Sequence, residues 1–293
     1  MKKEDSRNRM ETRAMGPLVW SMALPMMVSL LIQSLYNIVD SVFVARLGQD
    51  ALTAASLACP VQMLMIAVGV GTAVGVNAIL SRTLGMKNYG EAFRIAQTGL
   101  ALSAAWALFF AAAGLAFAGR LAEIFTDDPG ISSQCASYLR ICMVFCLGNL
   151  VCMVFQRLLQ ASGRAGLSMA ILVSGALTNL ILDPVMIFGL FGCSAMGIRG
   201  AAWATVAGQW VSMFAGLLLN MKMNPDLDLA MPGFRVEKAR TLKIYQVGLP
   251  TMIMQAMTSL WSRPSMPSSC PFPLRQWPFS ASITSCRTSF LCP

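Results

Sequence analysis

Two carboxylates stand alone in the apolar part of this sequence. Asp40 is the only charged residue within 14–45, and Asp183 is the only charged residue within 165–198. A lone carboxylate in a segment long enough to cross a bilayer costs free energy and typically marks an ion path or a proton relay. The sequence therefore favours a membrane transporter that is coupled to a cation.

The first carboxylate lies on a polar stripe. Gln33, Tyr36, Asn37 and Asp40 follow one another at spacings that place them on one face of a helix. A polar stripe on a spanning helix must face protein or a water-filled cavity, because lipid cannot satisfy its hydrogen bonds. We therefore expect Gln33, Tyr36 and Asn37 to line a cavity beside Asp40.

The second carboxylate has oxygen ligands close to it in the sequence. Asn179 lies one turn before Asp183, and Pro184 follows directly and removes the backbone hydrogen bond to the Leu180 carbonyl. A carboxylate, an amide oxygen and a free carbonyl are hard oxygen ligands that suit Na⁺, and the same carboxylates could instead take a proton. The coupling ion thus stays open between H⁺ and Na⁺.

A third polar face follows in the next apolar segment, where Thr205, Gln209 and Ser212 share one side of a helix. One interpretation is that this face lines a cavity, with Gln209 among the lining residues. The alternative is that these side chains only form hydrogen bonds between helices and hold the bundle together.

Prolines and glycines predict how these helices bend and pack. Pro25 lies inside the first apolar segment and should kink it, so Pro25 and Pro184 are the predicted hinge positions. Gly71 and Gly75 have the four-residue spacing that lets two spanning helices approach closely.

The composition indicates the elements that must position these residues. Hydrophobic residues make up 56% of the 293-residue chain and charged residues only 12%, where soluble domains carry about 25% charged residues. The apolar segments predict an all-α polytopic membrane protein with crossings near 15–44, 51–80, 95–118, 138–158, 165–191 and 198–221, and a seventh that starts near 243.

The cations predict the orientation in the membrane. They are concentrated before the first predicted helix and after the second, fourth and sixth, which by the positive-inside rule places the N-terminus in the cytoplasm of a multi-pass protein of the cytoplasmic membrane. Cations spread over such loops do not indicate a nucleic-acid surface.

The chain has no histidine, which argues against a Cys/His metal site and predicts no cofactor beyond the coupling ion.

A short internal repeat suggests two like halves. Residues 21–27 resemble residues 246–252, and both open a crossing after a basic segment. We therefore divide the chain into a basic cytoplasmic N-terminus (1–14), a six-helix lobe (15–222), a cytoplasmic linker (223–242), the start of a seventh helix (243–261) and a tail (262–293).

Five segments resemble signature sequences of MATE (multidrug and toxic compound extrusion) transporters, closest to the bacterial DinF-like and MepA-like members. They are Tyr36–Ala45, Ser81–Gly85, Gln156–Gly163, Asn179–Pro184 and Gly197–Thr205. Together the resemblance extends over about residues 15–261.

The resemblance implies twelve helices in two six-helix lobes, with a substrate cleft between the lobes. It also implies export of cationic or amphipathic compounds in exchange for H⁺ or Na⁺, without enzymatic activity. The residues of this chain that match the family's N-lobe cation site are Asp40, Asn179, Asp183 and Thr205. The match of Pro25 implies a helix that bends as the site fills.

The tail departs from this pattern. Residues 262–293 carry six prolines and eight serines but no Asp or Glu, and no spanning helix accommodates prolines at that density. We expect a shift of reading frame near Ser262, which would make the tail a disordered segment without function. A chain with one lobe and one further helix lacks the partner lobe for a cleft, so we expect this truncated form to be inactive.

Two other functions fit a polytopic chain. A flippase for lipid-linked saccharides should carry Arg and Lys in its cavity for the diphosphate, whereas this chain places carboxylates there. The other alternative is a seven-helix protein without transport activity. The internal repeat argues against a receptor. An intramembrane protease could pair the two aspartates, but no catalytic motif accompanies them.

Overall fold

The computed structural model describes residues 15–126, 128–189, 195–223 and 238–261, and these ranges contain helices and short connections but no strand. The helices are α1 (Met15–Ala45), α2 (Gln49–Gly85), α3 (Tyr89–Phe125), α4 (Pro129–Val144), α5 (Leu147–Ala161), α6 (Ala165–Phe188), α7 (Ile198–Met223) and α8 (Lys238–Trp261). The predicted N-terminal segment, most of the predicted linker and the predicted tail lie outside the described residues.

Local sequence explains where several helices begin and end. The Asn88 side chain accepts a hydrogen bond from the Glu91 backbone N–H at the start of α3, and Asp128 caps α4 in the same way before Pro129. Such caps satisfy donors that the first helical turn leaves free. Gly189 ends α6 in the left-handed conformation, which costs glycine no steric strain.

Five of the described helices, α1, α2, α3, α6 and α7, are long and apolar enough to span a membrane. Taken together as one bent span, α4 and α5 are long and apolar enough for a sixth crossing, so the prediction of an all-α polytopic chain is confirmed. The crossing predicted near 138–158 consists of two helices, α4 and α5, which meet at an angle of 46°.

Helices α6 and α7 approach so closely that their backbones are in contact. A Cβ atom added to Gly208 would lie 2.8 Å from the Gly175 carbonyl oxygen, and one added to Gly175 would overlap with the Ser212 hydroxyl. The Ser212 hydroxyl donates to the Ile171 carbonyl across the same interface. Small residues thus let α7 lie directly on the helix that carries Asp183.

The predicted glycine packing face of α2 contacts α8. A Cβ atom on Gly71 would overlap with the Met252 side chain, and one on Gly75 would overlap with the Ile244 carbonyl. Gly248 of α8 faces the Gly71 carbonyl in return. The prediction of close helix packing at Gly71 and Gly75 is therefore confirmed, and the partner is the helix that follows the predicted linker.

Candidate cation site

The two isolated aspartates meet between α1 and α6. Helix α1 packs mainly on α6, and the carboxyl groups of Asp40 and Asp183 lie within hydrogen-bonding reach of each other. Asp183 is only 1% exposed. Asp40 Oδ1 is also buried and, in the described part of the chain, has no hydrogen-bond partner. One carboxyl oxygen of the pair is thus left for a ligand.

Asn179 joins this pair to α7. With its amide nitrogen turned toward Asp183, Nδ2 donates to Asp183 Oδ2 at 2.7 Å, and the amide oxygen accepts from the Thr205 backbone N–H at 3.1 Å. Asn179 is 2% exposed. The Thr205 hydroxyl donates to the Ala201 carbonyl at 2.9 Å. The four residues predicted from sequence as a cation site therefore form one continuous polar cluster across three helices.

The predicted cavity residues are placed differently from one another. Tyr36 lies beside the cluster, since its hydroxyl is close to Thr205 and both carboxylates act on it electrostatically. Asn37 and Gln209 are half-buried, whereas the Gln33 side chain is exposed. The structure thus brings Tyr36 to the carboxyl pair and leaves Gln33 on the outer surface of α1.

The two predicted hinge positions lie inside continuous helices, Pro25 in α1 and Pro184 in α6. Pro184 directly follows the buried carboxylate, so the turn of α6 at the site lacks one backbone hydrogen bond. A bending role for either proline stays a prediction.

The electrostatics of the pair favour occupation by a cation. Two carboxylates in contact repel each other strongly in a medium of low dielectric constant, so a proton or a metal cation between them is required to relieve the repulsion. Carboxylate, amide and hydroxyl oxygens are hard ligands of the kind that Na⁺ takes, and the same carboxylates can take a proton.

A second polar group near Asp40 was missed in the sequence. Gln62 Nε2 of α2 donates to Tyr138 Oη at 3.3 Å and lies 3.5 Å from the Cys142 sulfur. Asp40 is close enough to act electrostatically on both Tyr138 and Cys142. An amide inside an apolar stretch of α2 was the available signal, but its partners lie 76 and 80 residues away.

Replacing Gln62 with Leu should destabilise the protein by about 1 kcal/mol, because the buried Tyr138 hydroxyl loses its hydrogen-bond donor. Thermal unfolding of the purified chain in nanodiscs measures the effect. Gln49, which is exposed at the start of α2, supplies the matched control, since Gln49→Leu should leave stability unchanged. Equal stability of the Gln62 variant and the wild type would show that the Gln62–Tyr138 contact contributes nothing.

A cavity of about 290 Å³ lies elsewhere, at the starts of α4 and α7. Ser133, Gln134, Ser137 and Arg199 supply its polar lining. None of the predicted site residues lines this cavity, so it adds nothing to the cation site.

Comparison with known proteins points to one family of transporters. The family model described as MatE matches residues 25–185. The multidrug export protein MepA of Staphylococcus haemolyticus is 26% identical over 233 residues, which are 79% of this chain and 51% of that protein. The FAD transporter of Shewanella oneidensis is 25% identical over 257 residues, which are 87% of this chain and 56% of that protein.

A solved structure of a MOP superfamily transporter from Pyrococcus furiosus superposes with a TM-score of 0.76 and 27% identity, over 83% of this chain and 53% of that chain. The chain thus spans about half the length of the relatives that it matches.

Proposed function

Because the chain belongs to the MATE family of membrane transporters, we propose that it supplies the first lobe of an antiporter, which exports cationic or amphipathic compounds in exchange for H⁺ or Na⁺. The observation that carries the proposal is the buried contact between Asp40 and Asp183. A carboxyl pair in a spanning bundle is stable when a cation lies between its members, so the loss or gain of that cation changes how α1 and α6 pack.

Each residue of the site has a distinct role in this proposal. Asp40 and Asp183 bind the coupling ion, and Asn179 and Thr205 orient Asp183 and add oxygen ligands. Tyr36, Asn37 and Gln209 belong to the cavity that leads to the ion, and Gln33 is left out because its side chain is exposed on α1. Pro25 and Pro184 are the positions where α1 and α6 bend as the ion enters or leaves.

Export itself needs a second lobe. A cleft between two lobes cannot form from one copy of a six-helix lobe, so the 293-residue chain alone should not transport. Residues 15–222 form the first lobe, the segment near 223–242 links the lobes in the cytoplasm, and α8 begins the second lobe. The N-terminus is cytoplasmic in this arrangement.

The charge of the site favours cationic substrates. Its buried charges are carboxylates, which attract cations and repel phosphate groups. The Shewanella relative is named as an FAD transporter, and a substrate with a diphosphate would call for Arg or Lys at the site. A lipid-linked saccharide also carries a diphosphate and would need the same basic residues. We therefore favour a cationic compound over FAD or a lipid-linked saccharide as the substrate.

Transport in proteoliposomes tests the proposal. The chain alone should not move a cationic dye when a Na⁺ or H⁺ gradient is imposed. A two-lobed fusion is made by joining residues 1–261 to the remaining half of the S. haemolyticus relative. This fusion should move the dye under the same gradient. Gradient-driven transport by the chain alone would contradict the need for a second lobe. A folded fusion that carries no dye under either gradient would contradict the antiporter.

A further inference from the structure

Helix α8 is fastened to the rest of the chain by an ion pair. Arg240 Nε donates to Glu91 Oε1 at 2.7 Å, and Arg240 Nη2 donates to Glu91 Oε2 at 3.1 Å. The pair is bidentate, the strongest geometry for a guanidinium and a carboxylate. It joins two residues that are 149 positions apart, and Arg240 lies in the last part of the predicted linker, which forms the start of α8.

The Arg240 side chain is largely withdrawn from solvent. Its exposed fraction is 11%, against 36% for Glu91. An arginine in such surroundings loses much of its hydration, so its carboxylate partner must replace the lost hydrogen bonds. Breaking the pair therefore costs more than breaking an exposed surface ion pair.

A second polar contact also joins α8 to α3. Trp106 Nε1 of α3 donates to Tyr245 Oη of α8 at 2.7 Å. Together with the backbone contact of α8 on Gly71 and Gly75 of α2, this bond fixes the beginning of α8 on two helices of the first lobe.

One face of α8 packs on the first lobe. Ile244 is fully buried and Met252 is 9% exposed, whereas Leu242, Leu249 and Ile253 are each at least half exposed. The buried face of α8 thus extends from Ile244 to Met252, and an exposed apolar face lies beside it along the helix.

We propose that the Glu91–Arg240 ion pair is a latch that fastens the first helix of the second lobe to the first lobe at the cytoplasmic face. The inference rests on the two-lobe function proposed above. Alternating access by rocking of two lobes requires them to separate on one side at a time, and the latch must open when they separate on the cytoplasmic side.

Hydrogen exchange of the 293-residue chain in nanodiscs tests the latch without any transport assay. Arg240→Gln should raise amide exchange in 240–252 about tenfold, because the desolvated pair is lost. Exchange in α6 should stay unchanged. Lys238→Gln removes an exposed cation at the first residue of α8 and serves as the control, which should not raise exchange. The exchanged pair Glu91→Arg with Arg240→Glu should restore most of the protection.

Unchanged exchange in Arg240→Gln would overturn the latch, and so would an equal increase in every described helix. Tyr245→Phe, which removes the Trp106 contact only, should raise exchange in 240–252 by a smaller factor than Arg240→Gln. An increase as large or larger would assign the fastening to the Trp106–Tyr245 bond instead.

Cross-linking tests the opening step in the two-lobed fusion. Glu91→Cys with Arg240→Cys, joined by a short bis-maleimide, should stop dye transport, whereas the parent fusion treated in the same way should keep its activity. Full transport by the cross-linked fusion would overturn the opening step. A fusion that never transports but passes the exchange test would instead refute the proposed function and leave the latch contact in place.

Discussion

Asp183→Asn should abolish gradient-driven dye transport by the two-lobed fusion. Asparagine has nearly the same size as aspartate but carries no charge, so the remaining carboxylate of Asp40 no longer forms a pair that requires a cation. The fold should survive, because a buried carboxylate with its desolvation cost is replaced by a neutral amide. Dye transport and thermal unfolding of the same preparation measure both effects.

Asp50 supplies the control for this substitution. It lies exposed in the first turn of α2, away from the carboxyl pair, so Asp50→Asn should transport like the parent fusion. Transport at the parent rate by Asp183→Asn would remove Asp183 from the coupling site. A variant that unfolds would show that the carboxylate is structural.

Gly208→Val should destabilise the lobe by about 3 kcal/mol or more, since a side chain at this position meets backbone atoms that cannot rearrange. The nearest atom to a Cβ there is the Gly175 carbonyl oxygen, and the next is Asn179 Cβ at 3.1 Å. Pushing α7 away from α6 separates Thr205 from Asn179, so cation binding should be lost as well. Thermal unfolding in nanodiscs measures the change in stability.

Gly166 is the matched control. It lies in the first turn of α6, and a Cβ added to it would have no atom within 4 Å. Gly166→Val makes the same change of residue type within a helix, yet it should unfold near the wild-type temperature. If the two variants unfold at the same temperature, the close approach of α6 and α7 is not what holds this part of the lobe together.

The polar cluster could be predicted from the sequence because a charge inside an apolar segment stands out. Asp40 and Asp183 are isolated in the sequence, and helical spacing alone places Asn179 beside Asp183. What spacing cannot give is the contact between helices. The meeting of α1 with α6 depends on the packing of the whole bundle, and the resemblance to known transporters supplied that step.

Other features depend on tertiary packing and could not be predicted from the sequence. The break between α4 and α5 falls at Phe145 and Cys146, within a run that contains no proline and reads as one apolar helix. The side chains of Gln62 and Tyr138 meet only because α2 and α4 pack together. The exposure of Gln33 also depends on tertiary structure, because the stripe on α1 fixes a shared direction but not how far along the helix the cavity extends.

Cation binding by the chain itself tests the central claim most directly. Radioactive Na⁺ binding and proton release on Na⁺ addition are to be measured on the wild type in nanodiscs, beside Asp40→Asn, Asp183→Asn and Asp50→Asn. We predict that the wild type and Asp50→Asn bind one cation at this pair. Either Na⁺ and H⁺ compete for the site, or H⁺ alone occupies it. Neither site variant should retain it. Binding that persists in both Asp40→Asn and Asp183→Asn, or a wild type that binds neither ion at this pair, would contradict the account.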